Sequence, residues 1–149
     1  VFAGYHNNPE ANNKAFRNGW FLTGDLGHMD AKGFLYLTDR ASDMYISGGS
    51  NIYPREIEEK ILQHPAINEC AVLGIPDPTW GEVGIAICVA QGDTPEAADL
   101  LKWLGAKVPR YKIPKSILFW DELPKSGYGK ITKKLIRAEL IARGEIADV

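Results

Sequence analysis

The chain has few of the residues that build metal sites, disulfide frameworks and membrane spans. Its 149 residues include two cysteines and three histidines, scattered without the spacing of metal ligands. Cys70 and Cys88 lie in apolar, strand-like runs, where cysteine is more often a buried thiol than half of a disulfide. No apolar run approaches the roughly 20 residues that cross a bilayer. We therefore expect neither a metal site within these residues nor a membrane span.

A secretory signal is also missing, because no basic and then apolar segment opens the chain. The chain starts at Val1 without an initiator methionine, so we expect a piece of a longer protein, located in a reducing cytoplasm. Hydrophobic residues make up 45% of the chain and charged residues 24%, which is typical of a globular domain. This length predicts about one domain.

A net charge of −2 conceals a basic segment, residues 102–137. This segment holds ten lysines and arginines, opposed by Asp121 and Glu122. It is either a solvated basic face or a surface that attracts the phosphates of a nucleotide, coenzyme A or nucleic acid. Aromatic residues are not interleaved at regular spacing and no nucleic-acid-binding motif is present, so we expect no nucleic-acid partner.

Hydrophobic patterning predicts five main strands. A hairpin is expected from residues 20–26 and 34–38, joined by turn residues, with Asp25 near the end of its first strand. Runs rich in β-branched residues predict central strands at 67–75 and 83–90, and a further strand at 116–120.

Capping and proline signals predict four helices. Prolines mark the starts of two of them, one running from Pro9 towards Phe16 and one from Pro54 to Pro65. Hydroxyl side chains are expected to cap the other two, which run from Thr94 to about Lys107 and from Thr132 to Gly144.

Residues 38–56, TDRASDMYISGGSNIYPRE, form the most informative stretch. A charge pair and a short apolar strand lead to Gly48 and Gly49, which allow backbone angles closed to other residues and close approach of a ligand. The stretch is either a β-hairpin leading into a helix, or a hinge between domains followed by a ligand-facing loop. Arg40 is either an ion-pair partner of Asp39 or Asp43, or a ligand-binding residue.

Three motifs carry a resemblance to a known family. They are, in chain order, GWFLTGDLG (19–27), SGGSNIYPREIEE (47–59) and LPKSGYGKITKKLIR (123–137). Together they resemble acyl-CoA synthetases of the adenylate-forming, AMP-binding superfamily, over essentially the whole chain. The resemblance implies that residues 1–40 end the large N-terminal AMP-binding domain and that residues 41–149 form the mobile C-terminal domain. We expect an α+β fold with a central, mostly antiparallel three-stranded sheet flanked by helices and preceded by a hairpin.

The resemblance also implies a reaction in two halves. A carboxylate and ATP give acyl-adenylate and pyrophosphate, and coenzyme A then displaces AMP to give a thioester. Lys130 matches the catalytic lysine that bridges the carboxylate and the α-phosphate. Asp25 matches the aspartate that accepts hydrogen bonds from the ribose hydroxyls of ATP, and Arg40 an arginine that contacts the nucleotide.

Further roles follow from the same resemblance. Ser42 takes the hinge position, where the family usually has Asp or Lys. The pantetheine arm of coenzyme A is expected to run past the loop formed by Ser47, Gly48, Gly49, Ser50 and Asn51. Trp80 and Glu82 are candidates for contact with the large domain. Before Lys130 the sequence Ser-Gly-Tyr-Gly replaces the more usual Thr-Pro-Thr-Gly.

The expected ligands are ATP with Mg²⁺, coenzyme A and a carboxylic acid, with the metal ligands in the N-terminal domain, the main expected partner. Since the phosphate loop and acid pocket of the family are absent from these residues, we expect the isolated chain to be inactive. The alternatives are an adenylation domain that loads a carrier protein, and a non-catalytic docking or polyphosphate-binding module. The acid substrate is not determined by these residues.

Overall fold

The computed structural model describes residues 2–147, which form two compact units. The first ends at Ser42 and the second begins at Asp43.

The first unit is a short helix followed by two small antiparallel pairs. Its elements are α1 (Pro9–Ala15), β1 (Phe16–Arg17), β2 (Trp20–Phe21), β3 (Asp25–Met29) and β4 (Leu35–Arg40). The predicted helix at Pro9 is confirmed, with the Asn8 side chain accepting the backbone N–H of Ala11 as its N-cap.

The predicted hairpin is confirmed as the β3–β4 pair, but its first strand was wrongly placed. Residues 20–21 pair with β1 instead, and Asp25 begins β3 rather than lying near the end of a strand. The physical reason is Gly24, whose φ of 78° interrupts any extended strand between residues 20 and 26.

The second unit contains nine further elements and most of the core. They are β5 (Tyr45–Ser47), β6 (Ser50–Ile52), α2 (Pro54–Ile61), β7 (Ile67–Asp77), β8 (Gly81–Ala90), α3 (Ala97–Gly105), a 3₁₀ turn (Arg110–Lys112), β9 (Ser116–Phe119) and α4 (Lys133–Ala142). The sheet has five strands, with the order β6–β5–β8–β7 and β9 pairing with β8 in parallel.

This architecture confirms the α+β fold with a mostly antiparallel sheet flanked by helices. Beyond the three predicted strands, the β5–β6 hairpin joins the same sheet through the pairing of Ser47 with Gly81. Two helix limits differ from prediction. The α2 helix ends at Ile61 rather than at Pro65, and Glu96, not Thr94, is the N-cap of α3. Thr132 is the N-cap of α4 as predicted, but its side chain makes no capping hydrogen bond.

The β7–β8 pair is apolar on both faces. Successive side chains of a strand point to opposite sides, so the continuous apolar runs of these two strands supply both faces. Cys70 and Val72 face one cluster, which α2 and α3 cover, and Ala71 and Leu73 face a second cluster, which α4 covers. Both cysteines are free and buried, as predicted, with their Sγ atoms 3.7 Å apart.

The outer edge of β7 is closed by side chains rather than by another strand. The backbone N–H of Val72 donates to Glu58 Oε1 of α2 at 2.8 Å, and Arg137 Nη2 of α4 donates to the carbonyl of Gly74 at 2.6 Å. Such capping satisfies backbone groups that an open edge strand would present to other chains.

Tyr45 is the side chain that joins the hairpin β5–β6 to the central pair. It is 3% exposed, and its ring packs over Gly74 and Gly84, which are directly opposite each other on β7 and β8. A methyl group on Gly84 would meet the phenolic oxygen of Tyr45, whereas one on Gly74 would meet its Cβ and, at 2.6 Å, its Cγ. Burial raises the pKa of the Tyr45 phenol above its ordinary value, and the Glu82 carboxylate raises it further.

This packing predicts a selective rescue. Gly84→Ala should destabilise the protein by about 1–3 kcal/mol because its methyl group overlaps the Tyr45 hydroxyl. Tyr45→Phe removes that hydroxyl and should recover much of the loss in the Gly84→Ala background. The same change should not rescue Gly74→Ala, whose methyl group meets ring and Cβ atoms that phenylalanine retains. Urea unfolding of wild type, the three single variants and the two double variants measures both couplings. Equal rescue of both alanine variants would contradict this arrangement.

Candidate functional site

Apart from Ser42, which ends the first unit, the predicted site residues lie at three places, one in the first unit and two in the second. Asp25 and Arg40 pair across the β3–β4 hairpin, Ser47 to Asn51 form the β5–β6 turn, and Lys130 lies in the loop before α4. Within residues 2–147, no hydrogen bond or ion pair joins Lys130 to the β5–β6 turn.

Asp25 and Arg40 are brought together because they are cross-strand partners. Arg40 Nε lies 3.4 Å from Asp25 Oδ1, and Arg40 Nη2 donates to the carbonyl of Thr23 at 3.0 Å. Asp39, a predicted ion-pair partner of Arg40, instead accepts its backbone N–H at 2.7 Å. Adjacent residues of a strand point to opposite faces, so the guanidinium meets the opposite strand rather than its neighbour. Both side chains remain accessible, at 36% for Asp25 and 60% for Arg40.

The glycine turn is a two-residue hairpin loop, so this stretch does contain a β-hairpin that leads into a helix. Ser47 pairs with Ser50, and Gly48 and Gly49 between them have φ values of 54° and 80°. Positive φ at both central residues is what a tight hairpin turn of this kind requires.

Trp80 and Glu82 hold this turn in place. The N–H of Gly48 donates to the carbonyl of Trp80 at 2.9 Å, and a methyl group on Gly48 would lie 2.8 Å from the Trp80 ring. Glu82 Oε2 accepts the backbone N–H of Ile46 at 2.9 Å. Trp80 is nevertheless 57% exposed, so one part of its ring remains available to a ligand or to another domain.

A cavity of about 660 Å³ opens beside the glycine turn. Its lining combines Ser47, Gly48 and Ser50 with residues distant in the chain, chiefly Asp77, Arg110, Tyr111 and Lys115. These come from the β7–β8 turn and the approach to β9, so only the fold places them together. A cavity of this size, with apolar walls and a few polar groups, fits a small organic ligand.

Asp77 organises the polar side of the cavity. Its side chain is 4% exposed, with Oδ2 at 2.7 Å from Lys115 Nζ. Oδ1 accepts the backbone N–H groups of Thr79 at 2.9 Å and Trp80 at 3.0 Å. The hydrogen bond from Lys115, supported by these two N–H groups, lowers the pKa of the Asp77 carboxyl. Asp77 thereby fixes the turn that carries Trp80.

Lys130 ends a tight, exposed turn. The backbone N–H of Ser126 donates to the carbonyl of Lys130 at 2.7 Å, and the N–H of Lys130 donates to Ser126 Oγ at 3.3 Å. Lys125 and Ile131 pair as an isolated antiparallel bridge at the base of this turn. The Lys130 side chain is exposed.

Five of the ten cations in the basic segment form ion pairs or hydrogen bonds within the described part of the protein. Arg137 donates to a backbone carbonyl, and four lysines form ion pairs with carboxylates. The ion pairs are Lys112–Glu56, Lys115–Asp77, Lys125–Glu69, Lys133–Glu58 and Lys133–Asp43. These cations therefore hold elements of the protein together, whether or not they also attract phosphates.

Residues 2–147 contain neither a cluster of metal-ligating side chains nor a membrane-spanning helix. No group of three or more His, Cys, Asp and Glu side chains converges there. No described helix is both long and apolar enough to cross a membrane.

Residues 56–130 match the family model of the AMP-binding enzyme C-terminal domain. Over 138 residues the chain is 45% identical to the long-chain-fatty-acid–CoA ligase FadD13 of Mycobacterium tuberculosis, an alignment that covers 93% of this chain and 27% of the ligase.

Solved structures show the same similarity. The o-succinylbenzoate CoA synthetase MenE of Bacillus subtilis, in complex with its acyl-adenylate intermediate, superposes with a TM-score of 0.87 at 41% identity, covering 92% of this chain and 28% of that one. The amide bond synthetase McbA of Marinactinospora thermotolerans gives a TM-score of 0.83 at 33% identity, covering 92% and 28%. The chain thus spans little more than a quarter of the length of these relatives.

The contacts of Asp77 predict a pH-dependent contribution to stability. Its lowered carboxyl pKa means that the contribution is complete above the ordinary aspartate value of about 4 and is lost as the pH falls through the folded-state pKa. Asp77→Asn should therefore destabilise the protein at pH 7, and its difference from wild type should shrink as the pH falls below about 4.

Urea unfolding at a series of pH values measures this difference. Asp93→Asn, which alters an exposed carboxylate in the loop before α3, is the matched control and should change stability little at any pH. A wild-type-to-Asp77→Asn difference that stays constant down to pH 2 would contradict the assignment.

Proposed function

The chain belongs to the AMP-binding enzyme C-terminal domain family, and from this we propose that it is the C-terminal portion of an ATP-dependent acid–CoA ligase. In the proposed reaction the carboxylate attacks the α-phosphate of ATP and releases pyrophosphate, and the acyl group is then transferred to the thiol of coenzyme A with release of AMP. The similarity to FadD13 and to the Bacillus subtilis synthetase supports this class of reaction.

The observation that carries the proposal is the state of Lys130. The neighbouring lysines on either side, Lys125 and Lys133, are each paired with a carboxylate. Among the residues that the structure describes, Lys130 has no carboxylate within ion-pair distance, and its side chain is exposed at the end of a tight turn. An unpaired ammonium on a short, ordered loop is suited to meet an anion supplied by a ligand.

In the adenylation half, we infer that Lys130 places its ammonium between the attacking carboxylate and the α-phosphate. Both groups carry negative charge that is redistributed as the new bond forms, and a positioned cation stabilises this charge without reorganisation. It also holds the two reactants in a productive geometry. Asp25 and Arg40 would bind the nucleotide, since the Asp25 carboxylate can accept both ribose hydroxyls and the Arg40 guanidinium can donate to ribose or phosphate.

In the second half, we infer that the β5–β6 turn guides the pantetheine arm. Gly49 leaves open space where a side chain would stand, and the adjoining cavity offers apolar walls beside the Ser47 and Ser50 hydroxyls. Ser42, the last residue of the first unit, is the proposed hinge about which the C-terminal domain would rotate between the two half-reactions.

The large domain of such a ligase is the proposed partner of this chain, and residues 1–40 would be its end. ATP would bring Mg²⁺, which neutralises phosphate charge when bound, with its ligands in that domain. The acid is also bound there, so these residues leave the substrate unassigned. We propose on the same grounds that the chain alone forms no acyl-adenylate. Incubation with ATP and a panel of carboxylic acids should release no pyrophosphate above background, and ATP-dependent release by the chain alone would contradict this.

A second acceptor is favoured by one finding. The similarity to an amide bond synthetase makes an amine a candidate in place of the coenzyme A thiol. A carrier protein, which presents the same pantetheine arm, would use the same glycine turn as coenzyme A.

A domain exchange tests the proposal. The matched C-terminal part of the Bacillus subtilis o-succinylbenzoate CoA synthetase is replaced by this chain, and pyrophosphate release and thioester are measured with o-succinylbenzoate, ATP and coenzyme A. Lys130→Ala should lower adenylation by about 10²-fold or more, because a positioned charge is lost at the transition state. Thioester formation from supplied acyl-adenylate should continue.

Lys134→Ala is the matched control, since it removes another exposed lysine four residues further on. It should leave both halves unchanged. Equal activity of the Lys130→Ala and Lys134→Ala chimeras in adenylation, or a chimera that binds ligands but never releases pyrophosphate, would sink the assignment. Adenylate that accumulates without thioester, but reacts with an added amine, would move the acceptor to the second candidate.

A further inference from the structure

We propose that Glu69 is a positioning residue for Lys130, acting through Lys125; this inference rests on the proposed function. Lys125 Nζ lies 2.7 Å from Glu69 Oε1. Glu69 stands on β7, so the ion pair ties the base of the lysine-bearing loop to the central strand pair. Within the described residues, it is the one side-chain ion pair or hydrogen bond that links residues 125–131 to the sheet.

A β-bulge directs Glu69 towards the loop. Ile67 pairs with Ala90 and Glu69 pairs with Val89, so Asn68 is an extra residue in β7. Regular alternation would put Ile67 and Glu69 on one face of the sheet. Instead Ile67 packs in the cluster of Cys70 and Val72, whereas Glu69 continues the alternation of Ala71 and Leu73 on the opposite face. That second face is the one from which the loop departs, because Leu123 is buried in its cluster.

The loop transmits this anchoring to Lys130 over a short path. Lys125 pairs through its backbone with Ile131, the residue after Lys130. The N–H of Ser126 donates to the carbonyl of Lys130, and the N–H of Lys130 donates to the Ser126 hydroxyl oxygen. Fixing the Lys125 side chain therefore fixes both strands of the turn that ends at Lys130.

Stability alone does not explain the Lys125–Glu69 ion pair. Glu69 Oε2 is buried and has no hydrogen-bond partner among the described residues. A carboxylate oxygen buried without a partner is costly, and the ion pair itself adds little stability because its side chains are 42% exposed for Lys125 and 25% exposed for Glu69. The face around Glu69 is already apolar, with Ala71, Leu73 and Leu123. A directional contact that orients the loop explains why a carboxylate stands there.

The first test uses the chain itself. Hydrogen exchange, followed residue by residue by NMR, reports the amides of Ser126, Gly129 and Lys130, which all donate within the loop. Glu69→Gln should speed their exchange by about tenfold while the amides of β7 and β8 keep their protection. Glu139→Gln is the matched control, because it disrupts an ion pair of similar length, 2.8 Å to Arg143, within α4. Unchanged exchange of the loop in Glu69→Gln would overturn the proposal.

The second test measures the two half-reactions in the domain-exchange chimera. Glu69→Gln and Lys125→Met should each lower the rate of adenylation by about tenfold, with little change in the KM for ATP, because misplacement of a catalytic group slows the chemical step. Thioester formation from supplied acyl-adenylate should stay at the wild-type rate. A loss of folding stability would instead lower both half-reactions together.

Coupling between the two residues completes the test. The double variant Glu69→Gln/Lys125→Met should be no slower than either single variant, since both remove one contact. The charge exchange Glu69→Lys/Lys125→Glu should recover adenylation to within about threefold of wild type. If Lys130→Ala abolishes adenylation but Glu69→Gln leaves it intact, the positioning role is wrong and the proposed function stands. If Lys130→Ala has no effect, both are wrong.

Discussion

The second unit depends on one requirement, which is that the long antiparallel pair β7–β8 must be covered by apolar groups on both faces. The chain meets it by placing α2 and α3 on one side and α4 on the other. The segment after β9 must therefore travel from the sheet to the second face. Lys130 lies on that passage, so the position of the proposed catalytic loop follows from how the core is closed.

Many of the charged side chains in this unit form ion pairs between elements that the core packs side by side. Lys112 ties the 3₁₀ turn to α2, Lys115 ties the start of β9 to the β7–β8 turn, and Lys133 ties α4 to α2. Against this background an exposed lysine without a carboxylate partner is informative, because the surrounding lysines show how readily this fold supplies one. Lys134 is also exposed and has no carboxylate within ion-pair distance among the described residues, so what distinguishes Lys130 is its place at the end of a tight turn.

Much of the fold could be predicted from sequence, because strongly patterned segments such as 67–75 and 83–90 need burial on both faces whatever surrounds them. The glycine turn and the lysine loop were also found, through local motifs. What could not be predicted depends on partners distant in the chain. Asp25 meets Arg40 only once the hairpin register is set, with Gly24 shifting the strand start. Glu69 looked like an ordinary strand residue, because a bulge at Asn68 decides which face it occupies.

The capped edge of β7 affects how the protein avoids self-association while it folds. This eleven-residue strand contains the uncharged, largely apolar run Cys70 to Ile75, which is typical of segments that recruit like strands into aggregates. Here the protecting groups, Glu58 and Arg137, come from helices that lie on either side of β7 in sequence, and Arg137 is synthesised more than 60 residues after Gly74. A nascent chain therefore carries this edge only partly capped until α4 has emerged and docked, so the docking of α4, rather than the forming of the sheet, completes its protection from self-association.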